Sequence, residues 1–364
     1  MTSHRLKIRS IDAVAVSVPM NRPLGTSAQS IRNAPLLLVT LLTEDGIRGR
    51  SYAFCYVESV ARSLQVIVRD LNDFLAGHDV APIDLSASIA RYFKLTGLYG
   101  PLLMVASAID SAAWDVLSIA AGVPLAVQLG GSIRPVQAYN SNGLGLMPAG
   151  AAADEAEQLV SAGFSAVKMR LGRPRFADDL IALRAVRKRL SDDIAIMVDF
   201  NQALSFPAAM QYCPQLDDEG VYWIEEPIRH DDFEHLAMVA AATKTPLQLG
   251  ENLVGLPPVF DSLKANATDY LMFDVDRIGG TSGWRSAAGI AAAAGRPVSS
   301  HLFPEISAHL LAATPTAHWL EYVDWANPLL EEPLRISDGK ATPSDHPGNG
   351  LSWDADAVKQ YRLP

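Results

Sequence analysis

Cysteine is nearly absent: among 364 residues only Cys55 and Cys213 carry a thiol. Two cysteines make no disulfide framework, so a reducing compartment such as the cytoplasm is expected. Charge is sparse too, at 19% of residues, and the net charge of −10 gathers in no acidic tail. That sign disfavours nucleic acid as a partner. No uninterrupted run of about 18 apolar residues occurs, so no membrane span or membrane partner is expected; the Ala-rich stretch Ala287 to Ala294 is short and broken by Gly289. The first ten residues, MTSHRLKIRS, lack the apolar core of a signal peptide. A basic cluster (Arg184, Arg187, Lys188, Arg189) falls late in an expected helix, where a solvated face and the helix dipole account for it.

What is present is a chain that is 49% apolar and long enough for two domains. The first part reads as α+β. Ile8 to Val18, Pro35 to Leu42 and Ile47 to Ala53 look like strands, the last two joined by the turn Thr43-Glu44-Asp45-Gly46. Helical periodicity follows over Val57 to Leu75, Leu85 to Phe93 and Leu102 to Ala121, the last stopped by Gly122 and Pro124. From Pro135 strands and helices alternate, with eight strand candidates beginning at Val136, Ala166, Ile194, Tyr222, Leu247, Tyr270, Pro297 and His318. Eight strands with helical connections predict a (β/α) barrel, with a doubly wound sheet as the competing architecture. The expected domains are 1–130 for the α+β unit, 131–325 for the barrel, and 326–364 for a segment packing back on the first domain.

Three acid-bearing segments, VDFNQ at Asp199, WIEEP at Glu225 and LGEN at Glu251, recur at a spacing of 26 residues. That is about one strand-plus-helix unit, so equal spacing places the three acids at one end of the barrel. Converging carboxylates repel unless a cation sits between them, and an all-oxygen set suits Mg2+ better than zinc. Period-two alternation alone leaves Glu225 and Glu226 as alternatives. In AVKMR, Lys168 and Arg170 share one face of a strand one unit earlier, placed to balance the acids and hold an anionic substrate. Asp274 and His301 end the two units after Glu251; an aspartate bonded to one imidazole nitrogen fixes the tautomer and raises basicity at the other. Glu321 ends the last strand, as a general acid or simply a barrel-end residue.

Other signals are weaker. GLGLMPAG from Gly143 lacks the third glycine of a dinucleotide fingerprint and reads as a loop. His309 and His318 flank an apolar helix without HExxH spacing, and Cys55 has no recognisable catalytic partner.

The constellation Lys168, Asp199, Glu225, Glu251, Asp274, His301 and Glu321 resembles the mandelate racemase subgroup of the enolase superfamily over nearly the whole chain. The densest stretch is SSHLFPEISAHLLAATPTAHWLE, Ser299 to Glu321. The resemblance implies a modified (β/α)7β barrel with an N-terminal α+β capping domain, and Mg2+ held by Asp199, Glu225 and Glu251. It selects Glu225 over Glu226. It implies a small-molecule 2-hydroxycarboxylate substrate whose α-proton is removed to give an enediolate, a Lys or His base with Mg2+ being the known pattern of such sites. Lys168 and a protonated Glu321 would flank the substrate carboxylate, with Ser141 nearby and Asn201 at the α-hydroxyl; His301, oriented by Asp274, would be the base. Arg170 departs from the pattern, because the family's racemases usually carry a second lysine base there. Arginine holds its proton too tightly for that role, which puts two-base racemisation in doubt. Capping positions Leu24, Ala28, Ile31, Phe54 and Tyr56, with Leu302 and Val323 from the barrel, are mostly apolar and favour an aryl or alkyl substituent. Ser27 and Arg32 leave room for a more polar ligand. An acid-sugar dehydratase is the alternative, and a catalytically silent binding protein a further one. The resemblance also implies a homo-oligomer, often an octamer.

Overall fold

The computed structural model describes residues 5–364; the first four residues of the N-terminal segment lie outside it. The chain opens with a three-stranded antiparallel meander, β1 (Ile8–Gly25), β2 (Ser30–Thr43) and β3 (Arg48–Phe54). The β2–β3 turn closes through Gly46 N to Thr43 O (3.0 Å) and Thr43 N to Ile47 O (2.9 Å). β1 and β2 run further than their apolar alternation suggests. Pro19 and Pro23 read as strand breakers, but the ladder only shifts register after Pro19 and resumes at Leu24 opposite Ile31. Proline is tolerated at such an irregularity. That extension carries Leu24 and Ile31 out over the barrel.

Helices Glu58–Leu75, Pro82–Tyr92 and Pro101–Ala121 complete the capping domain. The third has the length and mean hydropathy of a membrane span although Asp110 and Asp115 interrupt its apolar run, and two thirds of that window is buried inside the fold. Asp110 and Asp115 are buried on it and bonded to Ser282 and to Arg50 N respectively. It is the core helix of the cap.

Eight parallel strands follow: β4 (Val136–Asn140), β5 (Ala166–Arg170), β6 (Ala195–Asp199), β7 (Val221–Glu225), β8 (Leu247–Leu249), β9 (Tyr270–Asp274), β10 (Val298–His301) and β11 (Leu320–Tyr322). α-Helices connect each barrel strand to the next, and after β11 only the short 3-10 turn Asn327–Leu329 precedes the following strand. β11 pairs with β4, and Ser300 N to Trp319 O (3.0 Å) with His318 N to Val298 O (2.8 Å) joins it to β10. The barrel is therefore closed, and the doubly wound alternative falls. Its floor is a plug of buried side chains, Tyr139, Met197, Trp223, Met272 and Trp319, so it is a packed core and not a pore.

Register sets the site. Arg170, Asp199 and Glu225 are successive partners across β5, β6 and β7, and Asp274 pairs with His301 across β9 and β10. The even pitch in the sequence is thus a single row at the C-terminal rim. After β11, a hairpin of β12 (Arg335–Ser337) and β13 (Lys340–Thr342) pairs with β4, while Asn349 Nδ2 bonds Arg50 O (2.7 Å) and Leu363 N bonds Ala15 O (2.9 Å). The tail therefore touches both the barrel and the cap.

Candidate active site

Asp199 and Glu225 are the last residues of their strands, and Glu251 follows β8 after Gly250. Gly250 has φ +135°, and a Cβ there would lie 2.2 Å from Met272 O, so the chain can pass β9 to present Glu251 only as glycine. One oxygen from each of Asp199, Glu225 and Glu251 lies within 4.8 Å of the others. Glu226 takes the left-handed conformation (φ +36°), which breaks the strand alternation. Its carboxylate turns to Asn252 Nδ2 (2.7 Å), while Glu225 Oε2 accepts from Trp223 Nε1 (3.1 Å). Local backbone conformation decides between adjacent acids that period two could not separate.

Lys168 is the hub. Its buried Nζ lies 2.8 Å from Glu225 Oε1, 2.9 Å from Glu321 Oε1 and 3.4 Å from Asp199 Oδ2. One ammonium does not balance the acids around it. Burial pushes Glu225 up to about 8, Lys168 opposing and the neighbouring acids adding. Asp199 is raised by burial and by Glu251, against Lys168. Such a buried, oxygen-only, under-compensated set fits a hard divalent cation such as Mg2+. Asn201 holds Asp199 in place, its backbone N on Oδ1 (2.7 Å) and Nδ2 on Oδ2 (2.9 Å).

His301 Nδ1 is 2.6 Å from Asp274 Oδ2, and Nε2 is 3.3 Å from Glu251 Oε2. Burial lowers its basicity, but Glu251, Asp274 and Glu321 outweigh that and lift it to about 9. Glu321 differs from expectation. Oε1 accepts from Lys168 and from Ser141 Oγ (2.7 Å), and Oε2 accepts from Leu302 N (2.9 Å). Burial opposes its charge, yet Lys168, His301 and Arg170 hold it well below the usual carboxylate range. Donors on both oxygens favour its charged form, whereas the resemblance implies a neutral donor.

A cavity of about 180 Å3 opens over these groups. Lys168, Arg170, Asp199, Asn201, Glu251, His301 and Glu321 line it, with Leu24, Ala28, Ile31, Phe54, Tyr56 and Leu302. Ser141, Glu225 and Asp274 are buried behind that lining. Val323 belongs to a separate apolar hollow of about 10 Å3 that shares Phe54, Leu302 and Trp325. Ser27 is tied to Phe200 O (3.1 Å), and Arg32 is exposed outside the lining. Sequence reasoning missed Thr26, Gln29, Gln202, Asn252, Arg277 and Trp325. Two had a usable signal: Asn252 directly follows Glu251, and Arg277 lies one helical turn past Asp274. Arg277 Nη1 donates to Glu251 O (3.1 Å) and Asn252 Oδ1, and Nη2 to Tyr56 OH (2.8 Å), joining the cap to the acid cluster.

Fold and site together define a capped (β/α)7β-barrel enzyme with a carboxylate centre suited to Mg2+. Residues 10–130 match the model of the mandelate racemase / muconate lactonizing enzyme N-terminal domain, and residues 151–357 that of the enolase C-terminal domain-like family. The chain belongs to the enolase superfamily, in its mandelate racemase subgroup. It is 31% identical to the L-talarate/galactarate dehydratase of Salmonella typhimurium over 96% of this chain and 88% of that protein. A Mg-bound enolase from alpha proteobacterium bal199 superposes with a TM-score of 0.96 at 41% identity, covering 98% of this chain and 100% of that one. A Bradyrhizobium enolase complexed with magnesium and mandelic acid gives 0.94 at 38% identity, covering 100% of both chains.

Proposed function

We propose that this enzyme removes the α-proton of a 2-hydroxycarboxylate with an apolar or aryl substituent. The observation that carries the reading is His301: Nδ1 is fixed by Asp274 and Nε2 faces the cavity beside Glu251. Mg2+ held by Asp199, Glu225 and Glu251 would supply positive charge to the substrate carboxylate and acidify the α-carbon. Lys168, already placed against three carboxylates, would turn a donor to the same group, where negative charge grows as the proton leaves. His301 would take that proton at Nε2, while the Asp274 bond keeps the other nitrogen protonated and the ring in place. Leu24, Ile31, Phe54 and Leu302 supply an apolar wall for the substituent, with Phe54 and Trp325 centroids 5.0 Å apart. The Mg- and mandelate-bound relative supports the same choice.

The test is incubation of each mandelate enantiomer with enzyme and Mg2+ in D2O, followed by proton NMR. Loss of the α-proton signal from at least one enantiomer is expected; retention of both signals rejects mandelate-type chemistry.

A second reading, dehydration of an acid sugar, has its own support. Gln29, Gln202, Asn252 and Arg277 put polar groups around the cavity, and the L-talarate/galactarate dehydratase is a close relative. Here His301 would return the proton to a departing β-hydroxyl. Formation of 2-keto product from a panel of sugar acids, without α-proton exchange of mandelate, selects this reading. A reducing cytoplasm as the place of work is supported by Cys55 and Cys213, both free and buried.

A further inference from the structure

We infer that Arg170 is a positioning residue that braces the loop after β4 and aims Ser141 at Glu321, leaving His301 as the sole base at the α-carbon. This deepens the proposed reaction and rests on it for the last clause; the brace itself rests on geometry alone.

Arg170 is 4% exposed and occupies the face of β5 that Lys168 also uses. Nη1 donates to Ser141 O (2.9 Å) and Gly143 O (3.1 Å), and Nη2 donates to Ser141 Oγ (3.0 Å). Its backbone N bonds Leu144 O (2.9 Å). A guanidinium has only donors, and its planar fork reaches three acceptors that one ammonium meets from a single point. Losing a proton from it would forfeit these bonds.

The bond to Ser141 has a directional consequence. Ser141 Oγ accepts from Arg170, so its own hydrogen goes to Glu321 Oε1 at 2.7 Å. Glu321 thereby receives donors from Ser141, Lys168 and Leu302 N, an arrangement that favours its charged form.

The braced loop also reaches the cap. Gly143 and Leu144 both take positive φ, +62° and +44°, within the loop whose carbonyls at 141 and 143 accept from Arg170. Leu144 N is held by Glu155 Oε2 (2.6 Å). One residue on, a Cβ at Gly145 would lie 2.6 Å from Gly25 O, so the loop presses directly on the end of β1. Leu24, Thr26 and Ala28, around that end, line the substrate cavity. Arg170 therefore sets both the acid partner and the cap segment that closes over the substrate.

The experiment compares wild type, Arg170→Met, Ser141→Ala and the double variant. Melting temperature is read without metal and mandelate affinity with Mg2+. Arg170→Met is expected to lower the melting temperature by roughly 2–6 °C and weaken mandelate binding on the order of 10-fold. Adding Ser141→Ala to it should change little more, because the two act as one unit. Arg170→Lys should recover only part of the loss. Additive effects, or an unchanged melting temperature in Arg170→Met, overturn the brace. In D2O, wild type should exchange the α-proton of one enantiomer only, and Arg170→Met should keep that preference and pH profile at a reduced rate. Exchange of both enantiomers by wild type, with one lost in Arg170→Met, makes Arg170 the second base and overturns the inference. If wild type exchanges neither, the functional reading fails, and the melting-temperature cycle decides the brace by itself.

Discussion

Asp274 serves His301 with one carboxylate oxygen and a helix with the other. Oδ2 lies 2.6 Å from His301 Nδ1, while Oδ1 accepts from Asp276 N (2.8 Å) and Arg277 N (3.1 Å) and caps the turn Val275–Ile278. The cap fixes the carboxylate plane, and the carboxylate plane fixes the imidazole. Asparagine at 274 preserves the capping oxygen but replaces the charged partner of Nδ1 with a neutral group that can donate. Asp274→Asn is therefore expected to cut α-proton exchange by about 10²–10⁴-fold while leaving the far-UV circular dichroism unchanged. Exchange within about 3-fold of wild type would remove Asp274 from the proton-transfer unit.

Asp115 offers a stability test away from the chemistry. Buried on the core helix of the cap, it accepts Arg50 N at 2.8 Å and Asn349 N at 2.6 Å, so one carboxylate ties β3 to the C-terminal tail. Asparagine has one acceptor oxygen and leaves one buried amide facing an NH2 group. Asp115→Asn should cost about 1–3 kcal/mol. It should lower the melting temperature with Mg2+ present and leave the kcat of α-proton exchange unaltered. An unchanged melting temperature would show that the tail is held without this bridge.

Strand pitch carried much of this architecture into the sequence, because parallel strands in near-constant units repeat the same position at the same rim. Asp199, Glu225, Glu251, Asp274 and His301 were legible for that reason. What depended on backbone departures from strand geometry was not. Glu226 turns away through a positive φ that its residue type does not announce. The ladder past Pro19 brings Leu24 to the cavity although proline argues against it. The surroundings of Glu321 were not legible either, because its three donors, Ser141, Lys168 and Leu302 N, come together only in the closed barrel. Trp325, just beyond the last barrel strand, reaches the cavity from a loop with no periodicity to read.

Trp325 gives a direct measure of substrate class. It stands against Phe54 at 5.0 Å and borders both the substrate cavity and the apolar hollow behind it. An aryl substituent packed there loses contact when the indole is removed, whereas a polyhydroxylated chain has little to lose. Trp325→Ala is expected to weaken mandelate binding by about 10–200-fold. Aliphatic hydroxy acids bearing only a methyl substituent should change by less than about 3-fold. Parallel losses for both ligands, measured by calorimetry, would place the substituent elsewhere in the cavity.

Glu225 links the metal centre to stability. Its ordinary value of 4.5 is raised to about 8 in the folded protein, by burial first and then by the neighbouring acids, with Lys168 opposing. For a carboxyl raised on folding, the folded state binds the proton more tightly than the unfolded chain. The associated stability is fully present below about pH 4.5 and is lost as pH rises through about 8. In EDTA, the melting temperature of wild type should therefore fall between pH 5 and pH 8 more steeply than that of Glu225→Gln. Mg2+ binds the folded state and offsets the loss, by about 2.7 kcal/mol when its concentration is 100 times Kd. The Mg2+-induced rise in melting temperature should accordingly be larger at pH 8 than at pH 6, and should shrink or vanish in Glu225→Gln. Equal slopes for the two proteins in EDTA would show that Lys168 alone balances this acid, and that the divalent ion is not needed to relieve it.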